Sequence, residues 1–207
     1  MNTVIFILAA YLIGSVSFAV LTSKLFGLPD PRTFGSKNPG ATNVLRTGKK
    51  LAAAVTLLGD GAKGWLAVFL AMRLAPAYGL DETVVAASAV AVFLGHVYPV
   101  FFNFQGGKGV ATVLGILLAL NPWLGLSALA TWLLATAIWR VSSLSALIAA
   151  VLTPFYGWYW LKSDLLVMTV AVVSLLLIWR HKSNIQNLFS GKEQAIGKTQ
   201  SGDAPPQ

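Results

Sequence analysis

Apolar runs set the first limit on this chain. Seven can be read, at 4–21, 50–73, 84–101, 110–120, 123–139, 144–161 and 164–179. All but the fourth are long enough to cross the roughly 30 Å hydrocarbon core of a bilayer as helices, and 110–120 needs flanking residues to do so. A backbone in lipid must satisfy its own hydrogen bonds, so such runs are helical. Composition agrees: 56% of the 207 residues are hydrophobic and 11% charged, with a mean hydropathy of +0.71, far from an average soluble domain. The expectation is an all-α polytopic membrane protein with about seven transmembrane helices. A five-span count survives if the fourth and fifth runs pair as a re-entrant hairpin, because "ALNPWLG" leaves a short turn between them. No basic residue precedes the first run and the chain continues apolar far beyond it, so that run is expected to be a span and not a cleavable signal. Residues 1–193 then form one transmembrane domain, and 194–207, with the composition of "GKTQSGDAPPQ", are expected to be a disordered tail.

The basic residues are lopsided along the chain, and that bias sets orientation. Residues 22–50 hold Lys24, Arg32, Lys37, Arg46, Lys49 and Lys50 against Asp30; the same side collects Lys108, Arg140, Arg180, Lys182, Lys192 and Lys198. The other side has Arg73 and Lys162 against Asp81, Glu82 and Asp164. The N-terminus is therefore expected outside and the C-terminus cytoplasmic. A formal net charge of +8 also follows from this bias and from attraction to anionic headgroups, so charge alone names no substrate.

Three unusual segments fall on the basic side. The first, "PDPRTFGSKNPGATNVLRTG", is dense in turn and cap residues; Ser36, Asn38, Thr42 and Asn43 can hydrogen-bond, and Arg46 carries a planar fork suited to phosphate. It reads either as phosphate-binding or as a capped surface loop. The second, "FNFQGGKGVAT", sets Lys108 among Gly106, Gly107 and Gly109, where consecutive N–H groups can form an anion nest; a tight turn with an interfacial lysine is the plainer alternative. The third, "RHKSNIQNLFSGKE", puts His181 and Asn184 one helical turn apart, either to close over a ligand or as an interfacial helix end. His96, near the end of the third run, is either a satisfied hydrogen-bonding histidine or a base near the site. Asp60 and Lys63 in "LLGDGAKGW" are three apart and suit a structural ion pair.

Several chemistries drop out. There is no cysteine, so no disulfide or thiolate chemistry. Two histidines and seven carboxylates, scattered along the chain, form no HExxH or paired-carboxylate pattern, so no metal is expected. The HxxxxD dyad of many acyltransferases is absent, since Phe101 follows His96 at that spacing, and "GDGAKG" has one aspartate where a CDP-alcohol phosphotransferase needs several.

Taken in order, "GSKNPGATNVLR", "GHVYPVFFNFQGGKGVAT" and "RHKSNI…GKE" resemble the three motifs of the acyl-phosphate:glycerol-3-phosphate acyltransferases, the PlsY family of bacterial membrane enzymes. The likeness runs from about residue 14 to 193. It implies transfer of a fatty acyl group from acyl phosphate to the 1-hydroxyl of sn-glycerol 3-phosphate, giving lysophosphatidic acid and phosphate for phospholipid synthesis, without a cofactor or nucleic acid. It implies Ser36, Arg46, His181 and Asn184 as catalytic, and Asn43, His96, Gly106, Gly107, Lys108, Gly109 and Glu193 as the substrate phosphate site. The site would sit at the cytoplasmic face of the inner membrane, within reach of a soluble acyl-phosphate-forming enzyme. Because the donor is already an activated anhydride, direct attack without an acyl-enzyme is expected, with a substrate phosphate oxygen or His181 taking the proton. The rival class is a membrane carrier or channel for phosphorylated anions, but no internal repeat is found and the polar groups cluster at one face.

Overall fold

Each of the seven apolar runs is helical. The computed structural model describes residues 1–196, with α1 (Asn2–Ser15), α2 (Phe18–Leu25), α3 (Ala41–Leu45), α4 (Lys50–Leu74), α5 (Glu82–Val97), α6 (Val110–Leu120), α7 (Pro122–Trp139), α8 (Ser142–Trp160), α9 (Asp164–Arg180) and α10 (Lys182–Phe189). The first run breaks at extended Val16, which separates α1 from α2. Asn121 makes the one-residue turn from α6 to α7: its side chain accepts from Trp123 N at 2.8 Å and Leu124 N at 3.3 Å, and Pro122 occupies the first position, where no N–H is needed.

By length and composition, four helical stretches can each cross a membrane, at Asn2–Leu25, Lys50–Tyr78, Glu82–Phe102 and Pro122–Trp139. A fifth is the pair Asp164–Arg180 and Lys182–Phe189, bent by 57°. Helix α6 is apolar but short, and α8 carries enough serine and threonine to fall outside that group. Against the expected seven crossings, the seven apolar runs are all helical, but only four to five of them have span character by themselves.

Between helices in lipid, attraction comes from close packing and hydrogen bonds and not from a hydrophobic drive. Small residues accordingly line the tightest crossings. A Cβ on Gly14 would run into the Val92 carbonyl and one on Gly95 into the Tyr11 carbonyl, which joins α1 to α5; Gly64 lies on Thr112 and Gly115 on Gly61, which joins α4 to α6. Thr112 Oγ1 adds a bond to the Asp60 carbonyl at 3.0 Å. The buried core around these crossings includes Val68, Val92, Phe93, Ile116 and Leu124.

Asp60 and Lys63 pair at 2.9 Å with both side chains almost fully buried. Lys63 Nζ also donates to the Val16 carbonyl at 2.6 Å. The break between α1 and α2 frees that carbonyl from its helical partner, and the lysine supplies the missing donor.

Connections sort to two ends. One end gathers the loop at 26–49, the turn at 98–109, Arg140 and residues 181–196, cross-linked by Arg32 to the Phe102 carbonyl and by Ile196 N to the Arg140 carbonyl at 2.7 Å. The other end gathers 75–81, Asn121 and 161–163, tied by Ser163 Oγ to Glu82 at 2.7 Å and Asn121 Nδ2 to the Trp160 carbonyl at 3.3 Å. All three sequence motifs therefore share one end. Of the expected tail at 194–207, residues 194–196 lie back against this end, and the rest is outside the described residues.

Candidate active site

The first motif is organised from within. Arg32 grips Asp30 with Nε to Oδ1 at 3.0 Å and Nη2 to Oδ2 at 2.6 Å, and its guanidinium lies 5.7 Å over the Phe102 ring. The arginine hydrogen bond holds the Asp30 carboxyl below its ordinary pKa. Asn43, on the short helix α3, is 1% exposed and spends both ends of its amide on the loop: Nδ2 donates to the Pro31 carbonyl at 2.7 Å and the Phe34 carbonyl at 3.2 Å, while Oδ1 accepts from Ser36 N at 3.1 Å. Asn43 thereby sets the backbone of Ser36. Gly35 turns with φ +54, and a Cβ there would meet Asn43 Oδ1 at 2.5 Å and Arg46 Nη1 at 2.9 Å, so the arginine fork lies directly over this backbone.

The glycine turn is held from both sides. Beneath it, Gly107 N donates to the His96 carbonyl at 3.2 Å, and a Cβ on Gly107 would run into His96 Nε2 and meet the Pro39 carbonyl at 2.9 Å. On the other side, Arg180 at the end of α9 donates Nε to the Gly107 carbonyl and Nη2 to the Gly106 carbonyl, both at 3.2 Å. Gly106 packs on the His96 and Val97 carbonyls, and Gly109, with φ +85, packs on Phe93. The glycines are required here for close packing on His96, Val97 and Phe93. This departs from the expected nest of free N–H groups, because Gly107 has already donated its own. His96 is 7% exposed, with Nδ1 3.6 Å from Asp60 Oδ1, so the turn rests on the buried ion pair of α4.

The third motif occupies the elbow after the last span. His181 Nδ1 lies 2.8 Å from the Leu177 carbonyl, which assigns the N–H to Nδ1 and leaves Nε2 as the acceptor. Burial pushes its pKa down to about 4, so the ring is neutral at physiological pH. Glu193 Oε1 accepts from Asn184 Nδ2 at 2.7 Å and from Ser143 Oγ at 2.5 Å, and so clasps residues 191–196 to α8 and α10. Grouped with the phosphate ligands on the resemblance, Glu193 has the geometry of a clasp instead; a carboxylate repels phosphate. Lys108 is lowered to about 8 by burial, with Arg180 and Arg46 pushing the same way and Glu193 opposing.

Two cavities meet at this end. A polar one of about 460 Å³ runs past Lys37, Gly106, Arg180, Ser183 and Asn187. An apolar one of about 540 Å³ runs into the bundle past Leu57, Leu117, Leu129, Trp132 and Ala150. Ser36, Asn38, Arg46, Lys108, Asn184, Glu193 and Gln194 line both. Of the expected site residues, Ser36, Arg46, Lys108, Asn184 and Glu193 stand at the junction; Asn43, His96, Gly109 and His181 face the apolar cavity; Gly106 faces the polar one; Gly107 faces neither. Sequence reasoning missed Arg180 as a site residue and Ser143 altogether. Arg180 was hidden among the basic residues of the charge bias, and its one signal was adjacency to His181. Nothing local marks Ser143, which meets Glu193 only through the fold.

Comparison with known proteins fits this geometry. The family model described as "Glycerol-3-phosphate acyltransferase" matches residues 4–191. Proteins so named from Nitrosomonas eutropha (59% identical; 96% of this chain, all of that one) and Janthinobacterium sp. (60%; 95% and 98%) are close relatives. Crystal structures of PlsY, an integral membrane glycerol 3-phosphate acyltransferase, superpose with TM-scores of 0.88 in its glycerol 3-phosphate form and 0.87 in its lysophosphatidic acid form, at 34% and 33% identity over 95% of this chain and 96% of that one. With three ordered motifs converging on one junction and a family match over nearly its whole length, this chain belongs to the PlsY family of glycerol-3-phosphate acyltransferases.

Proposed function

We propose that this acyltransferase takes its acyl group from an acyl phosphate and passes it directly to the 1-hydroxyl of sn-glycerol 3-phosphate, with no acyl-enzyme. The observation that carries this reading is the junction of a polar and an apolar cavity at shared cationic residues, Arg46 and Lys108. One substrate is a phosphate with a small polyol and the other a phosphate with a hydrocarbon tail, so their phosphates and the reacting carbonyl meet where the cavities do. The solved relative in its glycerol 3-phosphate and lysophosphatidic acid forms supports the same acceptor and product.

In the proposed step the glycerol oxygen attacks the acyl carbonyl carbon and the carbon–oxygen bond to phosphate breaks. Phosphate leaves with the electron pair, and the hydroxyl proton passes to a phosphate oxygen or to His181 Nε2. Arg46 and Lys108 neutralise and orient the phosphates, the Ser36 hydroxyl donates a hydrogen bond while its backbone N–H is held by Asn43 Oδ1, and His181 contributes in its neutral form. Arg180 and His96 act through the glycine turn and Glu193 through Asn184. The anion-carrier alternative needs a polar route through the bundle, whereas the inner cavity is walled mainly by leucine and alanine.

The orientation we propose has the motif end in the cytoplasm, the N-terminus outside and seven crossings in the inner membrane. Helix α6 is about 16 Å long at 1.5 Å per residue and needs the glycine turn to complete its crossing. A soluble enzyme could then deliver acyl phosphate from the cytoplasm. The test is detergent-purified protein with palmitoyl phosphate and labelled glycerol 3-phosphate. Lysophosphatidate and phosphate should form in equal amounts. No product over a range of pH would sink the donor assignment, and a trapped acyl-Ser36 would overturn direct transfer.

A further inference from the structure

The loop of the first motif holds one residue in a conformation that its side chain disfavours. Lys37 has φ +53, in the left-handed region where a Cβ crowds the following carbonyl and glycine alone goes freely. Gly35, two residues earlier in the same loop, and Gly191, just ahead of Lys192, meet the same demand with glycine. Of the other described non-glycine residues with positive φ, Asn103 is of a tolerated type, and Phe104 and Arg140 line neither cavity. Lys37 does line one, the polar cavity of about 460 Å³, beside Arg46, Lys108 and Arg180. The backbone itself fixes the turn: Lys37 N donates to the Phe34 carbonyl at 2.9 Å, and the N–H of Ser36 is held by Asn43 Oδ1 at 3.1 Å. Glycine would suit that backbone better, which points to a use for the lysine side chain.

The cations around the polar cavity are unequally committed. Arg180 donates to the Gly106 and Gly107 carbonyls, the Arg46 fork lies over the backbone of Gly35, and burial lowers Lys108 to about 8. Lys37 is exposed, and among the described residues its ammonium has neither an ion pair nor a hydrogen bond. Resting on the reading that glycerol 3-phosphate occupies the polar cavity, we propose that Lys37 is a binding residue for the acceptor, its ammonium meeting the phosphate at the solvent side of that cavity. A phosphomonoester carries nearly two negative charges at neutral pH. A point charge on a flexible stem suits a group that must be taken from water and passed inward, whereas the planar fork of Arg46 suits holding it in one orientation. The effect of Lys37 therefore belongs in affinity for the acceptor, with no part in bond making or breaking.

The experiment compares Lys37→Gly, Lys37→Ala and Lys37→Arg in the full-length purified protein. Glycerol 3-phosphate affinity is measured by calorimetry, which needs no donor, and KM for both substrates in the transferase assay at low and high salt. Lys37→Gly and Lys37→Ala should each weaken glycerol 3-phosphate binding by about fivefold and flatten its salt dependence, with KM for palmitoyl phosphate unchanged. Lys37→Arg should restore both affinity and salt dependence. Lys37→Gly should also melt above Lys37→Ala, because only glycine relieves the left-handed backbone; an affinity loss common to both is then not a loss of folding. Unchanged affinity in Lys37→Gly would overturn the assignment, as would a rise confined to KM for palmitoyl phosphate. So would an equal loss in Lys50→Gln, which removes an exposed cation of the same end that lines neither cavity. Ser183→Trp, which fills the polar cavity without changing charge, tests the underlying reading. Undisturbed glycerol 3-phosphate binding there would refute the acceptor's place in that cavity, while the Lys37 series still decides whether the lysine binds the acceptor.

Discussion

Arg180 is a positioning residue whose two bonds go to backbone, and that separates orientation from charge. Arg180→Ala frees the Gly106 and Gly107 carbonyls and should lower kcat/KM by about tenfold or more, mostly in kcat, since misplaced groups cost rate before affinity. Arg180→Lys keeps the charge but cannot make both bonds, so it should fall between Ala and wild type; full rescue by lysine would leave only an electrostatic role. Lys108 yields a pH prediction. Its active form is the protonated one, populated below its pKa of about 8, so kcat/KM should fall as pH rises through about 8 in the free enzyme. Lys108→Arg should push that limb well upward, and an unmoved limb would assign it elsewhere. His181, already neutral above about pH 4, should add no limb near neutrality.

At the scale of elements, the glycine turn is a wedge between the end of α5 and the end of α9. Gly107→Ala forces a Cβ into His96 and toward the Pro39 carbonyl, so it should lower the melting temperature as well as activity. Unchanged thermal stability with a raised KM would restore the view of the turn as a surface that touches substrate. The strap at 191–196 depends on the clasp at Glu193, which joins α8, α10 and the site in one hydrogen-bonded unit. The 57° bend after α9 turns α10 across the cavities, where Asn184 lines the junction.

For the whole molecule, alternation of ends is the testable property. The chain has no cysteine, so single-cysteine labelling needs no background removal. Lys162→Cys should be labelled by an impermeant maleimide in intact cells and Ser190→Cys only after permeabilisation, because these positions lie at opposite ends of the bundle and the basic excess belongs to the cytoplasm. Labelling of both in intact cells would refute the proposed orientation.

Several features were legible before folding because they depend on local pattern. Apolar length made the helices, "ALNPWLG" marked the short turn before α7, the Asp60–Lys63 spacing foretold a buried pair, and the motif residues Ser36, Arg46, Lys108, Asn184 and Glu193 do meet at one junction. The span count was less legible, because a short α6 and a polar α8 borrow their surroundings from neighbours. Division of labour within the site was not legible at all. Whether a glycine N–H faces a ligand or a histidine carbonyl, whether an asparagine binds substrate or its own loop, and whether an arginine serves orientation or topology depend on which partner the fold brings up: the His96 carbonyl for Gly107, the Pro31 and Phe34 carbonyls for Asn43, and for Arg180 the Gly106 and Gly107 carbonyls, more than seventy residues away. Hydropathy and turn chemistry act over a few neighbours along the chain and so can be read from its order. Hydrogen bonds that commit a polar group act across the bundle, and only the packed helices decide which partner each group finds.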